Sequence, residues 1–170
     1  MAGGERRLKP MISNSAASGY SGTNLYYQGE RGGDVNYEIK ADLAEIEGLA
    51  ASIEEFGEAH GIAPKIIFGI NLALDELITN TISYGYGDDR EHVIGIRLTL
   101  LPEEIEVEIS DDGIGFNPLE KPEPDINQSA EERPIGGLGI HLVRKMMDQV
   151  DYRRQDHRNI LTMRKNLISQ

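Results

Sequence analysis

Two glycine-rich segments constrain the fold of this chain more than any other feature. The first, at residues 111–116, reads Asp-Asp-Gly-Ile-Gly-Phe, and the second, at residues 136–140, reads Gly-Gly-Leu-Gly-Ile. Residues 117–135 between them hold four prolines among many polar residues and show no helical or strand period. A loop of that length inside a compact domain is usually functional. We therefore predict that residues 117–135 form a lid beside a binding site built from the two segments.

Composition limits the classes of protein to which the chain can belong. Its 170 residues are 39% hydrophobic and 27% charged, which predicts one globular domain. The formal net charge of -12 argues against a nucleic-acid partner, because phosphate backbones are bound by clustered Lys and Arg. Cysteine is absent, which excludes disulfides and thiolate metal sites. No apolar run approaches the roughly 20 residues of a membrane span, so we expect no membrane partner and a cytoplasmic location.

The chain divides into a tail and one domain. Residues 1–33 are rich in Gly, Ser, Asn and Arg without any period, and are predicted to be a disordered N-terminal tail. Residues 34–170 are predicted to fold. Three amphipathic helices are expected there: one from a cap at Asp42 to Gly61 with Leu43 on its apolar stripe, one from Pro64 to near Gly85 or Gly87, and one over residues 140–147. Alternating apolar residues predict strands at 35–40, 94–100, 105–109, 150–154 and 159–164.

This mixture of elements predicts the fold class. Hairpins of alternating strands together with amphipathic helices are typical of an α+β protein. We expect a two-layer sandwich in which three helices pack on one face of a mixed, mostly antiparallel sheet. The second face of the sheet is left for solvent or a partner.

The second predicted helix carries a carboxylate and an amide on one face. Glu76 and Asn80 are four residues apart, so their side chains project side by side. The amide oxygen of Asn80 could bind Mg²⁺, with waters and phosphate oxygens as the other ligands, while Glu76 acts as a base beside it. These residues could equally be the solvated face of a core helix, and this motif alone does not decide between the two interpretations.

The two glycine-rich segments suggest opposite ends of a nucleotide. Asp111, at a predicted strand end, could accept a hydrogen bond from the exocyclic amine of adenine, while Gly113 and Gly115 let the backbone approach the ring. The segment at 136–140 precedes a helix, whose free N–H groups would attract phosphate. An ordinary Asp-Gly turn and a flexible hinge are the alternatives. A Walker loop is excluded, because no Gly-Lys-Ser or Gly-Lys-Thr is present.

Three segments together resemble a known superfamily. Residues 73–80 (Ala-Leu-Asp-Glu-Leu-Ile-Thr-Asn), 111–116 and 136–144 occur in the order of the N, G1 and G2 boxes of the GHKL ATPases. Within that superfamily, the first and third segments resemble the anti-sigma factor serine/threonine kinases. The likeness covers about residues 35–165. It implies a Bergerat-type α/β sandwich that holds ATP under a mobile lid.

The resemblance also implies roles for individual residues. It makes Glu76 the catalytic base, Asn80 the Mg²⁺ ligand and Asp111 the adenine contact. It further implies a protein substrate, a serine or threonine on an anti-anti-sigma partner of the STAS type, together with binding of a sigma factor and a possible homodimer. The remaining residues expected to shape the ATP pocket are Gly113, Gly115, Gly136, Gly137, Leu138 and Gly139.

One position departs from the resemblance. Some members carry an arginine directly before the G2 glycines, whereas this chain has Ile135 there and Arg133 two residues earlier. Arg133 is therefore the candidate cation for the terminal phosphate, and a non-catalytic, ATP-gated binding module stays open as an alternative function. A detached histidine-kinase ATP domain is disfavoured, because no dimerisation helix carries a phosphoacceptor histidine. His60 lies at a predicted helix end, His92 at a strand start and His157 in a turn, and His141 follows the glycines, where a packing or lid contact is expected.

Overall fold

The computed structural model describes residues 24–26, 33–120 and 138–168. Within these ranges the chain forms one six-stranded sheet, three α-helices and a short 3-10 helix at Pro118–Glu120. The helices are α1 (Glu45–Ala59), α2 (Pro64–Tyr84) and α3 (Leu138–Met146). The strands are β1 (Asn24–Tyr26), β2 (Asp34–Lys40), β3 (Val93–Leu100), β4 (Glu104–Asp111), β5 (Gln149–Gln155) and β6 (Arg158–Asn166).

The sheet brings sequence-distant strands together. Its strand order is β1-β2-β3-β4-β6-β5, and every described pair of neighbours is antiparallel. Strand β6 inserts between β4 and β5, so residues after the second glycine-rich segment lie beside residues of the first. In the β4–β6 register, Asp111 is opposite Asn159.

The core lies between the helices and one face of the sheet. Strand β4 alternates, with Ile105, Val107 and Ile109 buried and the Glu residues between them partly exposed. Helix α2 presents Ile70, Leu74 and Ile78 to the same core, each with at most 2% of its surface exposed. Full burial of such a side chain contributes about 1.5–3 kcal/mol. The predicted two-layer α+β sandwich is confirmed.

Helix α2 is the central core helix. It begins with Pro64 at its first turn and ends at the cap Gly85, as predicted. Among the described helices, α2 alone also has the length and composition of a membrane span, with a mean hydropathy of 1.2 over its most apolar 18 residues. A core helix of a sandwich passes the same test, and α2 packs between α1 and α3.

The start of α1 corrects the sequence prediction. Asp42 does not cap the helix: its carboxylate accepts a hydrogen bond from the backbone N–H of Ala44 at 3.0 Å, within the turn that precedes the helix. The helix begins at Glu45, with Ala44 at the cap position. Leu43 therefore lies outside the apolar stripe and is 54% exposed. Asp favours such local turns because its side chain bonds to backbone two residues on.

Three residues of the segment predicted to be disordered form a strand. Asn24–Tyr26 pairs with Asn36, Tyr37 and Glu38 of β2 at the edge of the sheet. Strand addition at an edge uses backbone hydrogen bonds and needs no apolar alternation. The sequence pattern therefore gave no signal for it.

The last hairpin and the start of the predicted lid are also described. The β5–β6 turn has Asp156 and His157 at φ of 50° and 65°, a left-handed pair that matches the twist of a two-residue hairpin. Of the predicted lid, residues 117–120 include the 3-10 helix, whose Leu119 carbonyl accepts a hydrogen bond from Arg144 of α3 at 2.8 Å. The rest of the predicted lid lies outside the described residues.

Candidate functional site

A cavity of about 310 Å³ opens between α2, the end of β4 and strands β5 and β6. This volume is at the lower end of the range typical of small-molecule sites. Its walls are mostly apolar, with a few polar groups. The lining residues include Leu77, Asn80, Thr81, Tyr84, Ile109, Asp111, Ile114, Gly115, Phe116, Ile140, Tyr152, Asn159 and Leu161. Asn80, from the predicted Glu76–Asn80 pair, thus lines the same cavity as Asp111 and Gly115 of the first glycine-rich segment.

Asp111 is fixed at one end of this cavity. It is 6% exposed, and its Oδ1 accepts hydrogen bonds from the backbone N–H of Gly113 at 2.8 Å and from Asn159 Nδ2 at 2.9 Å. No described residue donates to Oδ2 of Asp111. A buried carboxylate with one committed oxygen and one uncommitted oxygen suits a ligand that brings an N–H donor.

Asn159 holds Asp111 and was not predicted from the sequence. Its Nδ2 donates to Asp111 and to the carbonyl of Ile114 at 3.0 Å. Its Oδ1 accepts from the Tyr152 hydroxyl at 2.8 Å and from Arg154 Nη1 at 2.6 Å. Both atoms of the amide are therefore used. The only available signal was the β4–β6 register, which no local pattern around Asn159 reveals.

The glycines of the first segment allow close backbone approach. A Cβ on Gly113 would stand 2.5 Å from the carbonyl oxygen of Gly85, and one on Gly115 would stand 3.1 Å from the side chain of Arg154. The backbone N–H of Ile114 donates to that Gly85 carbonyl at 2.7 Å. The turn after β4 is therefore pressed against the end of α2, and a side chain at position 113 would push the two apart.

Glu76 and Asn80 form a hydrogen-bonded pair on α2, and Asn80 lines the cavity. The Nδ2 of Asn80 donates to Glu76 Oε1 at 2.5 Å and to the Glu76 backbone carbonyl at 2.7 Å. This leaves Oδ1 of Asn80, a cavity-lining residue, as an acceptor. An amide oxygen is a hard ligand that suits Mg²⁺. Among the described residues, no group of three or more His, Cys, Asp or Glu is arranged to hold a metal ion, so an ion here would rely on phosphate and water ligands, as Mg²⁺ commonly does.

The second glycine-rich segment meets this pair through Gly139. Gly139 lies in the first turn of α3, and a Cβ built on it would overlap the carboxylate of Glu76. Leu138 is the first residue of α3. Gly136, Gly137 and Arg133 lie outside the described residues, so their predicted roles stay predictions. The structure thus brings Glu76, Asn80 and Gly139 into one group, which we call the helix end of the site. It brings Asp111, Gly113 and Gly115 into another, which we call the Asp111 end.

A charged cluster of His92, Asp88 and Asp112 adjoins the first glycine-rich segment, to which Asp112 belongs. His92 is 8% exposed, and its two ring nitrogens lie 2.8 Å from carboxylate oxygens of Asp88 and Asp112. The hydrogen bond with Asp112, followed by that with Asp88, raises the pKa of His92. The same bonds lower the pKa of Asp112, and lower the pKa of Asp88 to about 2. Tyr86 stacks on the His92 ring with centroids 3.9 Å apart, and burial raises the pKa of this tyrosine.

Comparison with known proteins identifies the family of this chain. The family model described as "Histidine kinase-like ATPase domain" matches residues 39–165. Among solved structures, the RsbU and RsbW domains of a Mycobacterium tuberculosis protein align with 79% of this chain and 33% of theirs, at a TM-score of 0.53 and 14% identity. That likeness supports the fold.

Curated relatives carry kinase and anti-sigma names. The chain is 27% identical over 99 residues to "Serine/threonine-protein kinase BtrW" of Bordetella bronchiseptica, covering 58% of this chain and 70% of that protein. It is 29% identical over 82 residues to "Anti-sigma F factor" of Oceanobacillus iheyensis, covering 48% and 56%. It is 26% identical over 103 residues to "Serine-protein kinase RsbW" of Listeria monocytogenes, covering 58% and 66%. The match to the latter two spans less than two thirds of their length.

Proposed function

This chain belongs to the histidine kinase-like ATPase domain family, and from that premise we propose that it is an ATP-dependent serine/threonine protein kinase of the anti-sigma factor type. The observation that supports this proposal best is the meeting of three sequence-distant segments around one cavity. Asn80 and Asp111 line it from different elements, and Gly139 touches Glu76 behind it.

The adenine is proposed to lie at the Asp111 end. Its exocyclic amine donates to Oδ2 of Asp111, while Asn159 keeps the carboxylate oriented. The apolar walls of Ile109, Ile140 and Leu161 pack against the ring. The phosphates extend toward Asn80 and the start of α3, where the N-terminal N–H groups of a helix favour anions.

The transfer step is proposed to use the Glu76–Asn80 pair. Glu76 accepts the hydroxyl proton of the partner's serine or threonine as that oxygen bonds to the terminal phosphorus and the bond to the ADP oxygen breaks. Asn80 orients the Glu76 carboxylate through its Nδ2 and offers Oδ1 to Mg²⁺. When bound, Mg²⁺ supplies neutralisation of the phosphate charge. Phosphoryl transfer needs mainly positioning and charge neutralisation, so this small set of groups is adequate. Arg133 is proposed as a further cation for the terminal phosphate.

The partner is proposed to be a STAS-type anti-anti-sigma protein, with a sigma factor bound when that protein is blocked. The names of the relatives support this, since they include anti-sigma factors and serine-protein kinases. A cytoplasmic location and a homodimer are also proposed, from the resemblance of the chain to the anti-sigma kinases. A net charge of -12 favours protein partners over nucleic acid.

The test is phosphate transfer with a matched pair of variants. The purified protein is incubated with Mg-ATP and each candidate STAS protein of its genome, and mass spectrometry detects the gain of one phosphate. Glu76→Gln keeps an acceptor for Asn80 but cannot take the proton, so we expect transfer to fall by roughly 100-fold or more with ATP affinity preserved. Asp75→Asn removes the same charge from the exposed neighbouring position and should leave transfer unchanged.

Two results would contradict the kinase proposal. Transfer that survives Glu76→Gln would remove the assigned base. ATP binding without transfer to any candidate would favour the nucleotide-gated binding module. Ile135, where the resemblance noted above places an arginine in some members of the kinase family, would then be the first position to change.

A further inference from the structure

The geometry around His92 fixes its protonation state. Each of its ring nitrogens lies 2.8 Å from a carboxylate oxygen, Nδ1 from Asp112 and Nε2 from Asp88. An ionised carboxylate only accepts hydrogen bonds, and a neutral imidazole has only one N–H. Both contacts are hydrogen bonds only if His92 carries two N–H groups. These two distances therefore assign two N–H groups to His92, which makes it an imidazolium.

This imidazolium joins two segments that form the pocket. Asp112 directly follows Asp111, the carboxylate at the end of the cavity. Asp88 lies in the loop after α2, three residues beyond Gly85, whose carbonyl accepts from Ile114 at 2.7 Å. His92 thus acts in parallel with that backbone hydrogen bond, since both fasten the loop after α2 to the turn after β4.

We propose that His92 is a positioning residue for the nucleotide: in its doubly protonated form it clamps the loop at Asp88 to the turn at Asp112 and so holds Asp111 and Gly113 in place at the pocket. This inference rests on the proposed function, because it assumes that the cavity binds a nucleotide. His92 itself is not among the residues that line the cavity.

The clamp is pH-dependent because the second N–H can be lost. When His92 deprotonates, one carboxylate loses its donor and the clamp is reduced to one bond. The pKa of His92 is raised in the folded protein, so its contribution is fully present below the unfolded value of about 6.5 and is lost as the pH rises through the raised value. The titratable and charged groups that face this cluster are Tyr86, Asp88, Arg90, Asp111, Asp112 and Arg158.

The test measures ADP affinity by calorimetry from pH 7 to pH 10. We expect the dissociation constant of the unaltered protein to rise about tenfold across this range, the loss of one hydrogen bond to a charged group. His92→Gln should bind more weakly at pH 7 and show a flat profile. His157→Asn is the matched control, since it replaces an exposed histidine in the β5–β6 turn with a residue that tolerates its φ of 65°.

A rescue variant separates this role from a merely structural one. In Asp88→Asn the amide can accept from a protonated Nε2 at low pH and donate to a neutral one at high pH, where it gives up only the 3.2 Å hydrogen bond from the backbone N–H of Arg90. We therefore expect Asp88→Asn to keep the affinity measured at pH 7 and to lose the decline toward pH 10. A structural role for His92 would not produce that recovery.

The possible outcomes distinguish this inference from the proposed function. Binding by the unaltered protein with the same pH profile as His92→Gln would overturn the clamp alone. Absence of ADP binding at every pH would overturn the proposed function, and the inference with it. Long-range proton–nitrogen NMR on the ligand-free protein at pH 7 adds a direct check: a neutral His92 ring would overturn the proposal, and two protonated nitrogens would support it.

Discussion

The two ends of the cavity are built differently. At the Asp111 end, Asn159 alone makes four hydrogen bonds, to Asp111, Ile114, Tyr152 and Arg154. At the other end, the contacts among described residues are the pair Glu76–Asn80 and the approach of Gly139. The first end is a network that holds its own geometry. The second depends on how closely α3 approaches α2, so a small displacement there should change chemistry more than binding.

Gly139→Ala should produce the largest effect, and only at the second end. The added Cβ overlaps the Glu76 carboxylate, so one of the two groups must move. The carboxylate moves, because it is the flexible end of a side chain. Misplacement of a catalytic group by about 1 Å can reduce rates on the order of 100-fold, and we expect that loss in phosphate transfer. Affinity for adenosine, which has no phosphates, should change less than about twofold. Transfer kinetics and adenosine titration measure the two effects.

Gly69→Ala is the control for that prediction. Gly69 lies on α2 facing α3, where a Cβ would make ordinary contacts of 3.8–3.9 Å with Met146 and Met147. Alanine in a helix is favoured over glycine by up to about 1 kcal/mol, so this variant should be at least as stable and fully active. Equal loss of transfer in both variants would show that helix packing in general, and not the Glu76 contact, controls this end.

Asp111→Asn should produce the next largest effect, at the first end. The Asn oxygen can still accept from Gly113 and Asn159, but the amide places a donor where Oδ2 was, facing the proposed adenine amine. Loss of a hydrogen bond to a charged group costs about 2 kcal/mol, which corresponds to roughly a 30-fold weaker ATP affinity. Asp151→Asn on the exposed edge strand β5 is the control. Unchanged ATP affinity in Asp111→Asn would return this segment to an ordinary Asp-Gly turn.

The fold could be predicted from the sequence where periodicity carries the information. The alternation in β3 and β4 and the apolar stripe of α2 depend on residues within each segment, and these elements were predicted close to their observed bounds. The cap at Asp42 and the strand Asn24–Tyr26 were not, because each depends on a competing local turn or on an edge that another strand supplies.

The site divides in the same way. The pairing of Glu76 with Asn80 could be predicted from their spacing on one helix. Asp111 could be predicted as a binding residue from the glycines that follow it. Asn159 and His92 could not be assigned, because their partners are 48 and 20 residues away in the chain and meet only through the sheet. The residues proposed to contact the nucleotide lie in local sequence motifs, whereas Asn159 and His92, which hold those residues in place, depend on how the strands are paired.

Asn159→Ala should produce a smaller effect that spans both stability and binding. It removes one side chain but leaves Asp111, Arg154 and the Tyr152 hydroxyl each without one partner. Unsatisfied buried groups cost about 1–3 kcal/mol, so we expect that loss in urea unfolding and roughly tenfold weaker ATP affinity. Asn166→Ala, at the exposed end of the same strand, should stay within about 0.5 kcal/mol of the unaltered protein. If Asn159→Ala lost stability but bound ATP normally, the hydrogen bond from Gly113 alone would be enough to hold Asp111. The hydrogen-bond network around Asn159 would then serve folding and not nucleotide recognition.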